Sequence, residues 1–193
     1  PKRELLSGYA EIVKYSLIMD NNFYKWLESH GKKITKLNKN SLIQSIYKSC
    51  RSKARIVNKD EKEMNIRALL NFGHTFGHAI ESINQYKKNI NHGEAVSIGM
   101  VFGLKLSQEM KFLNKKSVDR IIHHFNNVGL PTTLPRSFKK IVTLNKFITA
   151  MKKDKKVKSG KINLILLKQI GKAFITNKFS EKKLNEVILS QIK

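Results

Sequence analysis

The chain has one cysteine, Cys50, so no internal disulfide can form, and a reducing compartment such as the cytoplasm is expected. Acidic residues are scarce: 14 Asp+Glu face 38 Lys+Arg, a net charge of +24. Arginine is scarce as well, since 32 of those 38 cations are Lys and only 6 are Arg. No apolar run approaches the ~20 residues of a membrane helix; the longest mostly apolar stretch is Ala95 to Leu106. No charged-then-apolar leader opens the chain, and no repeat or low-complexity linker interrupts it. These absences exclude a disulfide scaffold and a helical membrane protein.

What is present suits one packed domain. The 193 residues are 40% hydrophobic, which excludes wholesale disorder and supplies a real core. The chain opens on Pro1 and enters helix-like sequence within a few residues, so it reads as a piece of a longer protein whose N-terminal part is missing. The charge invites a nucleic-acid reading. The scarcity of Arg, the side chain that forks onto phosphate and guanine, argues against it. So does the lack of aromatics within Lys152-Lys153-Asp154-Lys155-Lys156 and beside Lys32-Lys33. The plainer expectation is a solvated Lys-rich surface with no nucleic-acid and no membrane partner.

Helical periodicity dominates. It predicts helices over Glu4 to Glu28, Ser41 to Val57 (with Leu42, Ile46, Ala54 and Val57 as its apolar positions), Asp60 to Tyr86, Gly93 to Met110, Ser117 to Asn127, Leu144 to Lys153 and Ser180 to Ile192. Gly129-Leu130-Pro131 is a typical helix exit and Ser180 a suitable N-cap. Lys161 to Lys168 reads as a strand, turned by Gln169 to Lys172 and returned by Ala173 to Thr176. The fold class is therefore mainly α, a multi-helix domain with one small β-hairpin.

The most informative stretch is Arg67 to Ile80. Arg67, Asn71, His74 and His78 are spaced 4, 3 and 4 apart, which on one helix is a narrow polar stripe. The remaining positions are largely apolar, so the stripe is expected to be buried, where each polar group costs a few kcal/mol without a partner. An internal hydrogen-bond network would satisfy it. So would a site for an anionic ligand, with the histidines as metal ligands or acid/base groups. Gly73 and Gly77 suggest that a backbone or a ligand comes close. His92, at the start of the next predicted helix, could point back as a third histidine, which favours a metal. Glu11 and Lys14 share a face of the first helix but are a weak signal by themselves.

These residues carry a family resemblance. Glu11-Ile12-Val13-Lys14-Tyr15, Ser49-Cys50-Arg51-Ser52-Lys53-Ala54, Asp60-Glu61, Arg67 through Glu81 and His92-Gly93-Glu94-Ala95-Val96 closely resemble 3-dehydroquinate synthase. Gly129-Leu130-Pro131, Asp154-Lys155-Lys156 and the hairpin continue the match in order. The resemblance implies that residues 1–193 are the C-terminal, α-helical, metal- and substrate-binding domain. The N-terminal domain that holds NAD would be absent, in keeping with the lack of a Gly-rich dinucleotide loop here.

By resemblance, the metal ligands are Glu11, His74 and His92, holding a divalent ion, Zn2+ or Co2+. His78 is then a substrate-phosphate contact and proton-transfer residue, not a ligand. Lys14, Lys53, Arg67, Asn71, His78 and Lys155 contact a sugar acid phosphate, and His78, Lys14 and Asn71 are the catalytic candidates. The implied reaction turns 3-deoxy-D-arabino-heptulosonate 7-phosphate into 3-dehydroquinate and phosphate, in the shikimate route to aromatic amino acids and chorismate. The implied partners are the N-terminal NAD-binding domain and a second copy, since homodimers are common in the family. A sister sugar-phosphate cyclase would share the metal triad; Arg67 and Lys53, which suit a substrate carboxylate, favour the synthase. The chain departs from the family at Asn65, where glycine is usual, at Ile90-Asn91, where Trp-Leu is usual, and in the longer Lys87-Lys88-Asn89 loop.

Overall fold

The structure is a computed structural model that describes residues 1–62, 66–85, 87, 89–153 and 162–193. Nine α-helices occur among these residues: α1 (Lys2–Met19), α2 (Asn21–Thr35), α3 (Lys39–Val57), α4 (His74–Ile83), α5 (His92–Glu109), α6 (Lys115–Val128), α7 (Arg136–Lys139), α8 (Leu144–Lys152) and α9 (Glu181–Ile192). A 3-10 helix, Ile66–Asn71, precedes α4. Strands β1 (Leu164–Gln169) and β2 (Lys172–Thr176) form an antiparallel hairpin. The mainly helical expectation and the hairpin are both met.

α5 is the axis. Thirteen of its residues, from Gly93 to Ser107, are buried, and it packs on α1, α4, α6, α9 and β1. It divides the interior in two. Val96, Met100, Val101 and Leu104 join a core built with α1, α2 and α6. Ala95, Ile98, Phe102 and Leu106 join a second core with α4, α8 and α9. β1 straddles the same partition, with Ile165 and Leu167 in the first core and Leu164 and Leu166 in the second. A strand buried on both faces has no polar alternation, which is why its apolar run is continuous.

Three expectations need correction. The helix expected over Glu4 to Glu28 is two helices, because Asp20 leaves helical geometry (φ −149°, ψ 94°) and caps α2 by accepting from the Phe23 N–H at 2.8 Å. The hairpin turn closes that break, with the Gly171 N–H donating to the Leu17 carbonyl at 2.8 Å. The helix expected over Asp60 to Tyr86 is likewise broken, at Gly73, whose φ is +81°. Arg67 and Asn71 lie on the 3-10 helix, whereas His74 and His78 lie on α4. The third correction concerns α3. Its inward face is a seam of serines, Ser41, Ser45, Ser49 and Ser52, ending in Ile56, while Ile43, Ile46 and Tyr47 face outward. Small side chains let α3 approach closely, and Ser45 and Ser49 satisfy their hydroxyls by donating to the Leu42 and Ser45 carbonyls at 2.7 Å. The short helix α7 was not anticipated. Gly129 ends α6 at φ +90° and Ser180 caps α9, as expected. The Asp154-Lys155-Lys156 run and Asn65 lie outside the described residues.

α4 crosses α5 at glycines. A Cβ on Gly99 would stand 2.1 Å from the Gly73 carbonyl oxygen and 2.9 Å from the Gly77 nitrogen. Neither atom can retreat, because both belong to the turn that starts α4. Gly99→Ala should therefore destabilise the fold by about 1–3 kcal/mol, read as a lower denaturant midpoint with unchanged slope. Wild-type stability would show that the crossing has slack.

A second prediction comes from the α1–α2–α6 joint. His124 is buried, with Nε2 3.0 Å from the Tyr9 hydroxyl. Burial holds its pKa down at about 4 against the ordinary 6.5, so the core contains the neutral ring. Between those values the unfolded chain takes up a proton that the folded chain refuses. Stability should be complete above pH 6.5 and fall as the pH drops toward 4, by roughly 3 kcal/mol from this group. Urea unfolding at pH 4.5 and 7 should differ less in His124→Gln than in the wild type; an equal difference would remove His124 as the cause.

Candidate metal centre

Three elements converge on one point. α1 brings Glu11 and Lys14 from its middle turns. α4 begins at His74 and carries His78 one turn on. α5 begins at His92. One donor atom from each of Glu11, His74 and His92 lies within 4.8 Å of the others, the one such cluster of metal-binding side chains among the described residues. His74 Nε2 is 3.6 Å from Glu11 Oε1. The His74 and His92 ring centroids are 5.3 Å apart.

The electrostatics suit a cation between these groups. Glu11 Oε1 is buried without a hydrogen-bond partner, a costly state for a carboxylate oxygen unless a positive charge faces it. Glu11 Oε2 is committed to Lys14 Nζ at 2.6 Å. The two imidazoles are turned by their other nitrogens. His74 Nδ1 lies 3.3 Å from the Phe72 carbonyl oxygen, and His92 Nδ1 lies 3.0 Å from Glu81 Oε1. Carbonyl and carboxylate oxygens only accept, so each Nδ1 carries a proton, and Nε2 is the ring nitrogen left to ligate a metal once it is deprotonated. Carboxylate, imidazole and imidazole form a donor set typical of zinc, with a three-residue shell that leaves room for substrate. The residues present therefore fit a divalent metal.

The remaining candidates surround this point. Lys14 is 3% exposed. Burial lowers its pKa, and the Glu11 charge and hydrogen bond oppose that shift. The charge of Lys53 is close enough to push the Lys14 pKa further down. This brings the exposed end of α3 to the rim of the site. His78 lies with its ring centroid 5.5 Å from that of His74 and 6.3 Å from that of His92. Arg67 and Asn71 are half-buried on the 3-10 helix. Asp60 anchors that helix by accepting from the Arg67 N–H at 2.9 Å, and the Arg67 guanidinium donates to the Glu61 carbonyl. Of the predicted site residues, only Lys155 falls outside the described residues.

Sequence reasoning missed the parts that hold the site still. Glu81 closes the motif that begins at Arg67, and nothing in the sequence assigns it a task. Arg3 grips Glu94 through Nε and a terminal nitrogen at 2.7 and 2.6 Å, and the Gly93 N–H donates to Ser7 Oγ at 3.1 Å. The first turns of α1 thus fasten the start of α5, beside His92. Glu94 also closes a capping box with Asn91, each side chain taking the other residue's N–H at 2.9 Å. The pattern Asn91-x-x-Glu94 was a readable cap signal. No sequence rule pairs residue 3 with residue 94.

The family model described as 3-dehydroquinate synthase C-terminal matches residues 8–157. The 3-dehydroquinate synthase of Pelagibacter ubique (strain HTCC1062) is 44% identical over 185 residues, covering 96% of this chain and 50% of that protein. That of Acinetobacter baumannii (strain AYE) is 42% identical over 190 residues, covering 98% and 51%. The chain spans about half the length of the curated relatives it matches. Among solved structures, ValA, a 2-epi-5-epi-valiolone synthase from Streptomyces hygroscopicus subsp. jinggangensis 5008 with NAD+ and Zn2+ bound, superposes with a TM-score of 0.86 at 23% identity, covering 99% of this chain and 52% of that one. A 2-deoxy-scyllo-inosose synthase complexed with carbaglucose-6-phosphate, NAD+ and Co2+ superposes at 0.81 with 24% identity, covering 99% and 53%. At that identity the structures speak for the fold. The family match carries further, because its span runs over every residue of the converging cluster: the chain belongs to the 3-dehydroquinate synthase C-terminal family.

Proposed function

We propose that this chain is the metal- and substrate-binding half of a 3-dehydroquinate synthase, paired in the whole enzyme with an N-terminal NAD-binding domain. The reaction would convert 3-deoxy-D-arabino-heptulosonate 7-phosphate to 3-dehydroquinate with loss of phosphate. The observation that carries the reading is the orphaned Glu11 Oε1 facing two histidines whose Nδ1 atoms are engaged elsewhere. Identities of 44% and 42% to named synthases favour this substrate over those of the sister cyclases, which match at 23–24%.

In this reading Glu11, His74 and His92 hold a divalent ion, Zn2+ or Co2+. Bound there, it would polarise a substrate hydroxyl and lower its pKa. NAD, seated mainly on the missing half, would accept and return a hydride. The chain's own residues bind and move protons. Arg67 and Lys53 take the substrate carboxylate, the planar guanidinium being suited to a bidentate grip. Asn71 holds a ring hydroxyl. His78 and Lys155 take the phosphate, and His78, within one helical turn of His74, serves the proton transfer that accompanies phosphate loss. Lys14 is kept charged by Glu11 against the pull of burial, so it can give a proton to a developing oxyanion and regain it. The lone cysteine supports a cytoplasmic location, and among the described residues no helix is long and apolar enough to cross a membrane. A homodimer belongs to the same proposal.

Titration of the purified chain with Zn2+ against a chromogenic chelator should show one tight equivalent. His74→Ala and Glu11→Gln should each weaken it by at least ~100-fold, because a three-ligand shell loses a donor. Zinc binding unaltered by His74→Ala would defeat the metal centre. The 193-residue chain should give no turnover with NAD and the heptulosonate phosphate. Turnover by this chain alone would defeat the proposed division of labour.

A further inference from the structure

α4 presents more than a ligand to the site. His74, His78 and Glu81 stand at positions i, i+4 and i+7, so about 100° per residue puts them on one face. The last of them reaches across to α5, where its Oε1 lies 3.0 Å from Nδ1 of His92. His92 is the loosest of the three candidate ligands. Its side chain is 49% exposed against 12% for His74 and 31% for Glu11. Packing therefore restrains the His92 ring less than the His74 ring. The ring partners differ in kind as well. His74 Nδ1 faces the main-chain carbonyl of Phe72, which the fold supplies whatever side chains are present. His92 Nδ1 faces a carboxylate that one substitution can remove.

We infer that Glu81 is a positioning residue for the metal centre, fixing the His92 ring so that Nε2 points toward Glu11 and His74. The inference rests on the metal reading above. Glu81 acts in two ways. Its oxygen accepts the Nδ1 proton, which selects the tautomer with the lone pair on Nε2. Its negative charge makes the imidazole a stronger donor, as a carboxylate behind a ligating histidine does. The backbone beneath His92 is held separately, by the Arg3–Glu94 pair and by the Ser7 hydroxyl that receives the Gly93 N–H. Loss of Glu81 therefore frees the ring and leaves the helix start where it is. The competing view is that Glu81 and His92 are an ordinary ion pair joining α4 to α5, with no bearing on the metal.

The two views separate in metal affinity measured beside the stability of the metal-free chain. Zinc is titrated into wild type, Glu81→Ala, Glu81→Gln and His74→Ala against a chromogenic chelator. The visible spectrum of bound Co2+ is recorded for each, and the melting midpoint is taken after chelation. Glu81→Ala should weaken zinc binding by about 10- to 100-fold and alter the Co2+ bands, with the metal-free midpoint unchanged. Glu81→Gln keeps an accepting oxygen and loses the charge, so it should recover part of that affinity. It also keeps the test readable should the alanine variant fail to fold. Wild-type zinc affinity in both Glu81 variants, with His74→Ala defective, overturns the role of Glu81 alone. A lowered metal-free midpoint with unchanged affinity overturns it in favour of the ion pair. Retained affinity in His74→Ala overturns the metal centre and the role of Glu81 with it.

Discussion

The close crossing of α4 and α5 is the constraint on which the rest of the molecule depends. Gly99 on α5 lies against the main chain of Gly73 and Gly77, with no room for a methyl group. Contact at backbone range lets the first residue of α4, His74, and the first residue of α5, His92, bring their rings to 5.3 Å. Any side chain at the crossing would separate the helices and their histidines together. The crossing also explains the turn before α4. A continuous helix through Gly73 would carry Arg67 and Asn71 along the α4 axis. The left-handed residue instead folds the 3-10 helix to one side, toward α1 and α3, where Lys14 and Lys53 stand.

α1 is the second fixed element. Its N-terminal turns hold the start of α5 through Arg3 and Ser7, its middle carries Glu11 and Lys14, and its C-terminus receives the hairpin turn at Leu17. One rigid helix therefore sets both the carboxylate and the distance to His92. Burying Lys14 is expensive, and the 2.6 Å bond to Glu11 offsets part of that cost. The pair leaves Oε1 as the Glu11 oxygen without a hydrogen bond, 3.6 Å from Nε2 of His74. The charge of +24 looks different in this light. Most of it is solvated lysine, and a few cations, Lys53 near the end of α3, Arg67 on the 3-10 helix and Lys14 in the middle of α1, have a specific anionic task under the proposed function.

The fold class, the hairpin, five of the seven predicted helices in outline and the membership of Glu11, His74 and His92 in one cluster were all legible in the sequence. The failures have local causes. Apolar residues continue in helical phase across Asp20, so periodicity cannot see that its carboxylate caps the next helix. The stripe from Arg67 to His78 keeps helical spacing across Gly73, because a 3-10 turn followed by an α-turn preserves the count while changing the axis. α3 inverted the usual rule: its contact face is serine, and its apolar Ile43, Ile46 and Tyr47 face out. Periodicity reports where apolar residues recur, and here close approach mattered more than apolar area.

Glu81 shows the remaining limit from the other side. Its spacing from His74 was readable, but its partner sits 11 residues further along the chain on another helix. Only the crossing of α4 and α5 brings the two together. The same holds for Arg3 and Glu94, separated by 91 residues. A sequence motif records which residues a site uses, and it is silent on which atom of each residue is already spent. That second fact decides the chemistry here. Once Phe72 and Glu81 hold the Nδ1 atoms and Lys14 holds Oε2, the ligating atoms that remain in the cluster are the two Nε2 nitrogens and Oε1 of Glu11. A carboxylate oxygen without a hydrogen bond, set beside two imidazoles, favours a positive charge among them.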